Sequence, residues 1–88
     1  MNINECNELQ LTGDLKGAEI CYRKLMKEEN VSSEVLCNLG IICAKTEREE
    51  EATNLFKKII NLEPNSSIAY NNLALILIHN RSEQLRYR

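Results

Sequence analysis

The sequence predicts an all-α protein: a solenoid of antiparallel helix pairs, with five helices and a short C-terminal tail. Three observations predict it. Asn4, Asn38 and Asn72 stand at two equal intervals of 34 residues. The same offset pairs Thr12 with Thr46, Ala18 with Ala52, Tyr22 with Phe56 and Leu25 with Ile59, and self-similarity of this length marks stacked repeats. One proline and three glycines in 88 residues leave little of the punctuation a strand-and-turn protein needs. Apolar residues also recur at three- and four-residue steps, which gathers them on single helical faces.

The first helix fits Asn2 to Leu11, before Gly13. The second spans about Leu15 to Glu28, with Ala18, Cys21, Tyr22 and Leu25 as its stripe and Asp14 as N-cap. The third runs from Ser33 to about Lys45 and carries Leu36, Leu39, Gly40 and Cys43. The fourth, Glu49 to Glu63, places Ala52, Leu55, Phe56, Ile59, Ile60 and Leu62 largely on one face. Thr46-x-x-Glu49 reads as a capping box at its start, and Pro64 follows its end. The fifth runs from Ser67 to about His79 with Tyr70, Leu73, Ala74 and Leu77 as its stripe. Asn80-Arg81-Ser82 then reads as a turn, with a truncated sixth element holding Leu85. Tyr22, Phe56 and Tyr70 are read as core aromatics, and His79 as a helix C-terminal residue favoured by the dipole.

Cys6, Gly40 and Ala74 are small residues at one repeated position. A glycine inside a helix costs about 1 kcal/mol against alanine, so Gly40 needs a packing reason. The close approach of an antiparallel neighbour carrying Tyr22 or Phe56 supplies one.

Composition leaves several classes without support. A formal charge of −2 at pH 7 gives no attraction for nucleic acid. No run of about 18 apolar residues exists to span a membrane, and the start lacks the basic flank and apolar stretch of a secretory signal. Cys6, Cys21, Cys37 and Cys43 include no C-x-x-C pair, and His79 is the sole histidine, so no metal site is expected. On the repeat register Cys21 and Cys43 pair with apolar residues. All four are therefore expected as reduced thiols behaving as small hydrophobes, which favours a reducing, cytoplasmic location. There the N-x-S triplets at Asn30, Asn65 and Asn80 are inert. No nucleophile with a base, no phosphate loop and no cofactor motif appears, so no catalytic residue or cofactor is expected. Glu49-Glu50-Glu51 is read as a charged helix start.

The series Leu36, Leu39-Gly40, Cys43, Ala52, Phe56, Ile59 and Pro64 resembles a tetratricopeptide repeat. Leu36, Cys43 and Glu47 depart from the family's preferred residues; Gly13-Asp14 and Tyr70 keep them in the neighbouring units. The resemblance implies a right-handed superhelix forming one domain over residues 1–88: a partial repeat 1–32, a complete one 33–66 and a partial one 67–88. It also implies that the first helix of each pair lines a concave groove holding an extended peptide, with Asn4, Asn7, Asn38, Ile41, Lys45, Asn72, Leu75 and His79 facing it. Asparagine ladders of this kind, as in the repeat arm of O-GlcNAc transferases, offer donors and acceptors to a peptide backbone. The carboxylate clamp of chaperone-binding members is not expected, because Ile3, Ile68 and Asn72 stand where its cations would be.

The expected function is protein–protein interaction through a peptide partner. Two alternatives stand beside it. One is a structural unit that self-associates into a homo-oligomer through bare ends at Leu73, Ala74 and Leu77, since repeat arrays normally need caps. The other is the substrate-recruiting arm of a larger enzyme such as a glycosyltransferase.

Overall fold

The computed structural model of the chain describes residues 2–28 and 31–86, apart from the Arg86 side chain. Five helices follow one another: α1 Ile3–Leu11, α2 Leu15–Met26, α3 Ser33–Lys45, α4 Glu49–Leu62 and α5 Ser67–Arg86. The architecture is the all-α helical repeat that the sequence predicts, with no strand among the described residues. Asn30, the first of the N-x-S positions, lies outside the described residues.

Short turns close the α1–α2 and α3–α4 pairs. Gly13 adopts φ 90° in the first, where only glycine is unstrained. Its equivalent Glu47 takes φ 64° in the second, so the geometry survives the departure from glycine. Asp14 caps α2 as expected, its carboxylate accepting from Gly17 N at 2.9 Å. The capping box at Thr46 is not formed. Thr46 instead closes α3: its hydroxyl donates to the Ile42 carbonyl at 2.8 Å. Arg48 holds the N-cap place of α4 with no side-chain cap, and the acidic run Glu49-Glu50-Glu51 supplies favourable charge there.

The core is one cluster. Tyr22 and Phe56 are completely buried, as are Leu39, Ile42, Cys43, Ala18 and Ala52. Gly40 shows why its side chain is absent: a Cβ there would stand 2.8 Å from Phe56 Cζ. Close approach of α4 on α3 is the packing reason the sequence requires.

Two expectations about the core are corrected. Cys6 and Cys21 form a disulfide rather than remaining thiols, with Cα atoms 5.4 Å apart. Both face the α1–α2 contact, and the antiparallel pair brings them together across 15 residues of sequence. Cys37 and Cys43 are free. With two cysteines joined, thiols no longer argue for a reducing compartment. The second correction concerns α5. Its buried residues are Ala69 and Ile76, with Leu73 half-buried; Tyr70 is 50% exposed, and Ala74 and Leu77 are exposed. Among the described residues no helix covers that face, so half of the aromatic lies in solvent.

The turn expected at 80–82 is also absent. Residues 67–86 contain neither glycine nor proline, and α5 runs 20 residues without a break. From Leu77 to Leu85 every residue is exposed.

Outside the core, ion pairs tie α2 to the α4 start. Arg48 donates to both Glu19 oxygens, at 2.7 and 2.5 Å. Arg23 donates to Glu19 at 2.9 Å and pairs with Glu51 at 2.8 Å. The Arg48 guanidinium holds the Glu19 carboxyl down at about 2, against the opposing pull of burial, with Arg23 adding to the effect.

Candidate interaction groove

The site sits where α3, α4 and α5 meet. Ile41 and Ala44 from α3, Phe56 from α4 and Leu75 and Ile76 from α5 floor a hollow of about 230 Å³. Lys45, Glu49, Asn72 and His79 form its polar rim. The structure thus brings together Ile41, Lys45, Asn72, Leu75 and His79 from the residues the sequence singles out. Helical spacing explains this, because 41 and 45 on α3, and 72, 75 and 79 on α5, share faces one turn apart.

A second hollow, about 310 Å³, continues along the same α3–α5 seam. Asn38 and Cys37 line it with Ile59, Glu63 and Ile68. Burial, and then the nearby Glu34 charge, push the Cys37 thiol up from its ordinary pKa. Together the two hollows make a trough with an apolar floor.

The three repeated asparagines occupy three different environments. Asn4 is exposed on α1. Asn38 donates from Nδ2 to Asn7 Oδ1 at 3.2 Å, linking α3 to α1. The Tyr22 hydroxyl also donates to Asn7 Oδ1 and lies 3.0 Å from Gln10 Oε1, while Asn7 Nδ2 donates to Glu34 at 3.4 Å. Asn72 donates to the Ile68 carbonyl of its own helix at 2.8 Å. Part of the Asn38 and Asn72 donor sets is therefore engaged at home, which equal spacing in sequence could not reveal. Asn7 belongs to this bridge and lines neither hollow.

His79 is a mid-helix residue, not a helix C-terminal one, because α5 continues past it. Its Nδ1 lies 2.6 Å from Glu49 Oε1 and its Nε2 lies 3.6 Å from Glu83 Oε1. Glu49 is the rim residue that sequence reasoning missed as a groove member. Its Oε2 is buried without a hydrogen-bond partner among the described residues. The signal was its place three residues after Thr46, which reads as a cap and hides the contact with α5.

No group of three potential metal ligands occurs among the described residues. No described helix is long and apolar enough to cross a membrane.

Two family models describing a tetratricopeptide repeat match the chain, one over residues 33–66 and the other over residues 55–85. No curated protein and no solved structure matches it. Such repeats act as protein–protein interaction modules. Together the two matches span residues 33–85, and the chain belongs to the tetratricopeptide repeat family.

Proposed function

We propose that the chain binds an extended peptide segment of a protein partner along the α3–α5 trough. The observation that carries this reading is the trough itself, an apolar floor of Ile41, Leu75 and Ile76 beneath a rim of Asn72, Lys45, Glu49 and His79. Apolar side chains of the peptide fill the hollows, and the rim orients its backbone, the division of labour general to such sites. Asn38 and Asn72 each keep an amide oxygen and a second N–H for the ligand beyond the bonds they make within the chain. Asn4 extends the rim at α1, beyond the Asn7 bridge. The Glu49 carboxylate favours a donor, such as a hydroxyl or a cation, at the tip of the side chain entering the hollow it lines.

The test uses peptides selected from a random display library on the intact protein. Their affinity is then measured by fluorescence anisotropy. Replacing both Asn38 and Asn72 with Ala should weaken binding about tenfold or more, at roughly 1 kcal/mol per hydrogen bond lost. Ile41→Glu should abolish it while circular dichroism stays unchanged. Selected peptides that bind all three forms equally would overturn the reading.

A further inference from the structure

The bare face of α5 carries a pattern of its own. Ile68, Asn71, Leu75, Ile78, Ser82 and Leu85 follow one another at alternating steps of three and four, the heptad spacing by which two helices pack. All six are exposed; Ile68, Leu75, Ile78 and Leu85 are 61, 63, 62 and 58% exposed. The opposite side of the helix, Ala69 and Ile76 with Leu73, is the one that meets the core. So α5 has two apolar faces, and its own chain covers one.

The order of residues along that seam is palindromic in character: apolar, polar, apolar, apolar, polar, apolar. Laid antiparallel against itself, the seam sets Ile68 against Leu85 of the second copy and Leu75 against its Ile78. Asn71 then meets Ser82, so both polar positions fall in one class of layer. This is the a-to-d alternation of an antiparallel helix pair. Beyond the His79 contact with Glu49, the far end of the helix from Asn80 to Leu85 is exposed throughout. In the antiparallel arrangement it lies along the half of its partner that is fixed to the core. A parallel pair would leave both overhangs projecting together and crowd the two bodies at one end.

We propose that two copies of this chain pair through the α5 seam as a closed antiparallel dimer. At about 30 Å long, one face of α5 offers on the order of 700 Å² per copy, close to the ~800 Å² per partner that a stable interface buries. A two-fold axis between Leu75 and Ile78 closes the assembly at two, since each seam residue then meets the patch it presents. The surface differs from the end face at Ala74 and Leu77 on which the repeat register alone would place self-association. Because Leu75 belongs to both the seam and the hollow beside His79, dimerisation occludes part of the trough. The dimer does not depend on the peptide reading, and its test needs no peptide.

Sedimentation equilibrium of the 88-residue chain from micromolar to millimolar concentration should show the mass rising from 10.1 kDa to twice that value and no further. Ile78→Glu, beside the two-fold axis, should weaken association by more than about a hundredfold, as removal of a central apolar contact does, and Leu85→Glu, at the end of the seam, by about tenfold or more. Leu77→Glu, off the seam, should leave it unchanged. The combined variant Ile68→Lys with Leu85→Glu should restore the dimer, because only the antiparallel register brings those two positions together. All of these side chains are exposed, and unchanged far-ultraviolet circular dichroism confirms that each variant folds. Any one of four results overturns the proposal: a single-chain mass throughout, open-ended growth, loss of the dimer in Leu77→Glu alone, or a combined variant that stays monomeric.

Discussion

Gly40 and Ala74 hold equivalent places in the first helices of successive repeats, yet one is sealed and the other faces water. At Gly40 the Phe56 ring lies so close that no Cβ fits. At Ala74 none of the described residues covers the helix, and Tyr70 and Leu77 beside it are 50 and 68% exposed. The local sequence code is nearly the same, and the difference is the presence of an antiparallel partner. In a stacked array, each helix face is stabilised by its neighbour rather than by its own propensity. The α3–α4 pair is therefore structural, and α5 is the element with surface to give.

The sharpest break of this contrast is Phe56→Ala. Removing a completely buried ring should cost about 3–5 kcal/mol in urea unfolding. If the loss were below 1 kcal/mol, the sealed pair would not be what holds the fold. Next comes the α1–α2 staple. Cys6→Ser with Cys21→Ser should cost about 3 kcal/mol through the freedom a 15-residue loop regains when unfolded. The same drop should follow addition of a reductant to the unaltered chain.

Gly40→Ala tests the close approach itself. The helix gains about 1 kcal/mol of propensity, but overpacking against the immobile ring costs more, for a net loss of about 1–2 kcal/mol. At the uncovered site the reverse change, Ala74→Gly, loses only the propensity term. Glu19→Gln should cost about 1 kcal/mol after solvent screening of the half-exposed arginines. Its carboxyl sits at about 2, below its ordinary 4.5. That contribution is therefore fully present above about pH 4.5 and fades as pH falls toward 2. In Glu19→Gln the corresponding part of the acid-side slope should vanish. Smallest of all, Tyr70→Ala should stay within about 0.5 kcal/mol, since half the ring is already in water.

The 34-residue interval made the helix order, the Gly13 turn and the Gly40–Phe56 contact legible, because equivalent positions have equivalent backbone tasks. It did not reveal cover. Tyr70 is equivalent to a buried position elsewhere, but periodicity carries no information about whether a neighbour exists. The disulfide was hidden for a related reason. Comparing Cys21 with Leu55 identifies an apolar environment, whereas the pairing depends on Cys6 facing α2 as Gly40 faces α4. Five of the eight predicted groove residues, Ile41, Lys45, Asn72, Leu75 and His79, converge because α3 and α5 each present one face. Asn7 and Asn38 do not stand free, because the Tyr22 hydroxyl binds Asn7 into a bridge between α1 and α3. Thr46 shows the limit of local motifs: one hydroxyl can close the helix before it or open the helix after it, and here the carbonyls of α3 win.

The contrast between the covered pair and the uncovered helix is tested most directly by amide hydrogen exchange at low and high protein concentration. In dilute solution, amides of α3 and α4 should exchange only through global unfolding, while those from Leu77 to Leu85 exchange orders of magnitude faster. At high concentration the α5 amides alone should slow. Uniform protection of α3, α4 and α5 in dilute solution would contradict the account, because it would mean that α5 already has the cover the structure leaves missing.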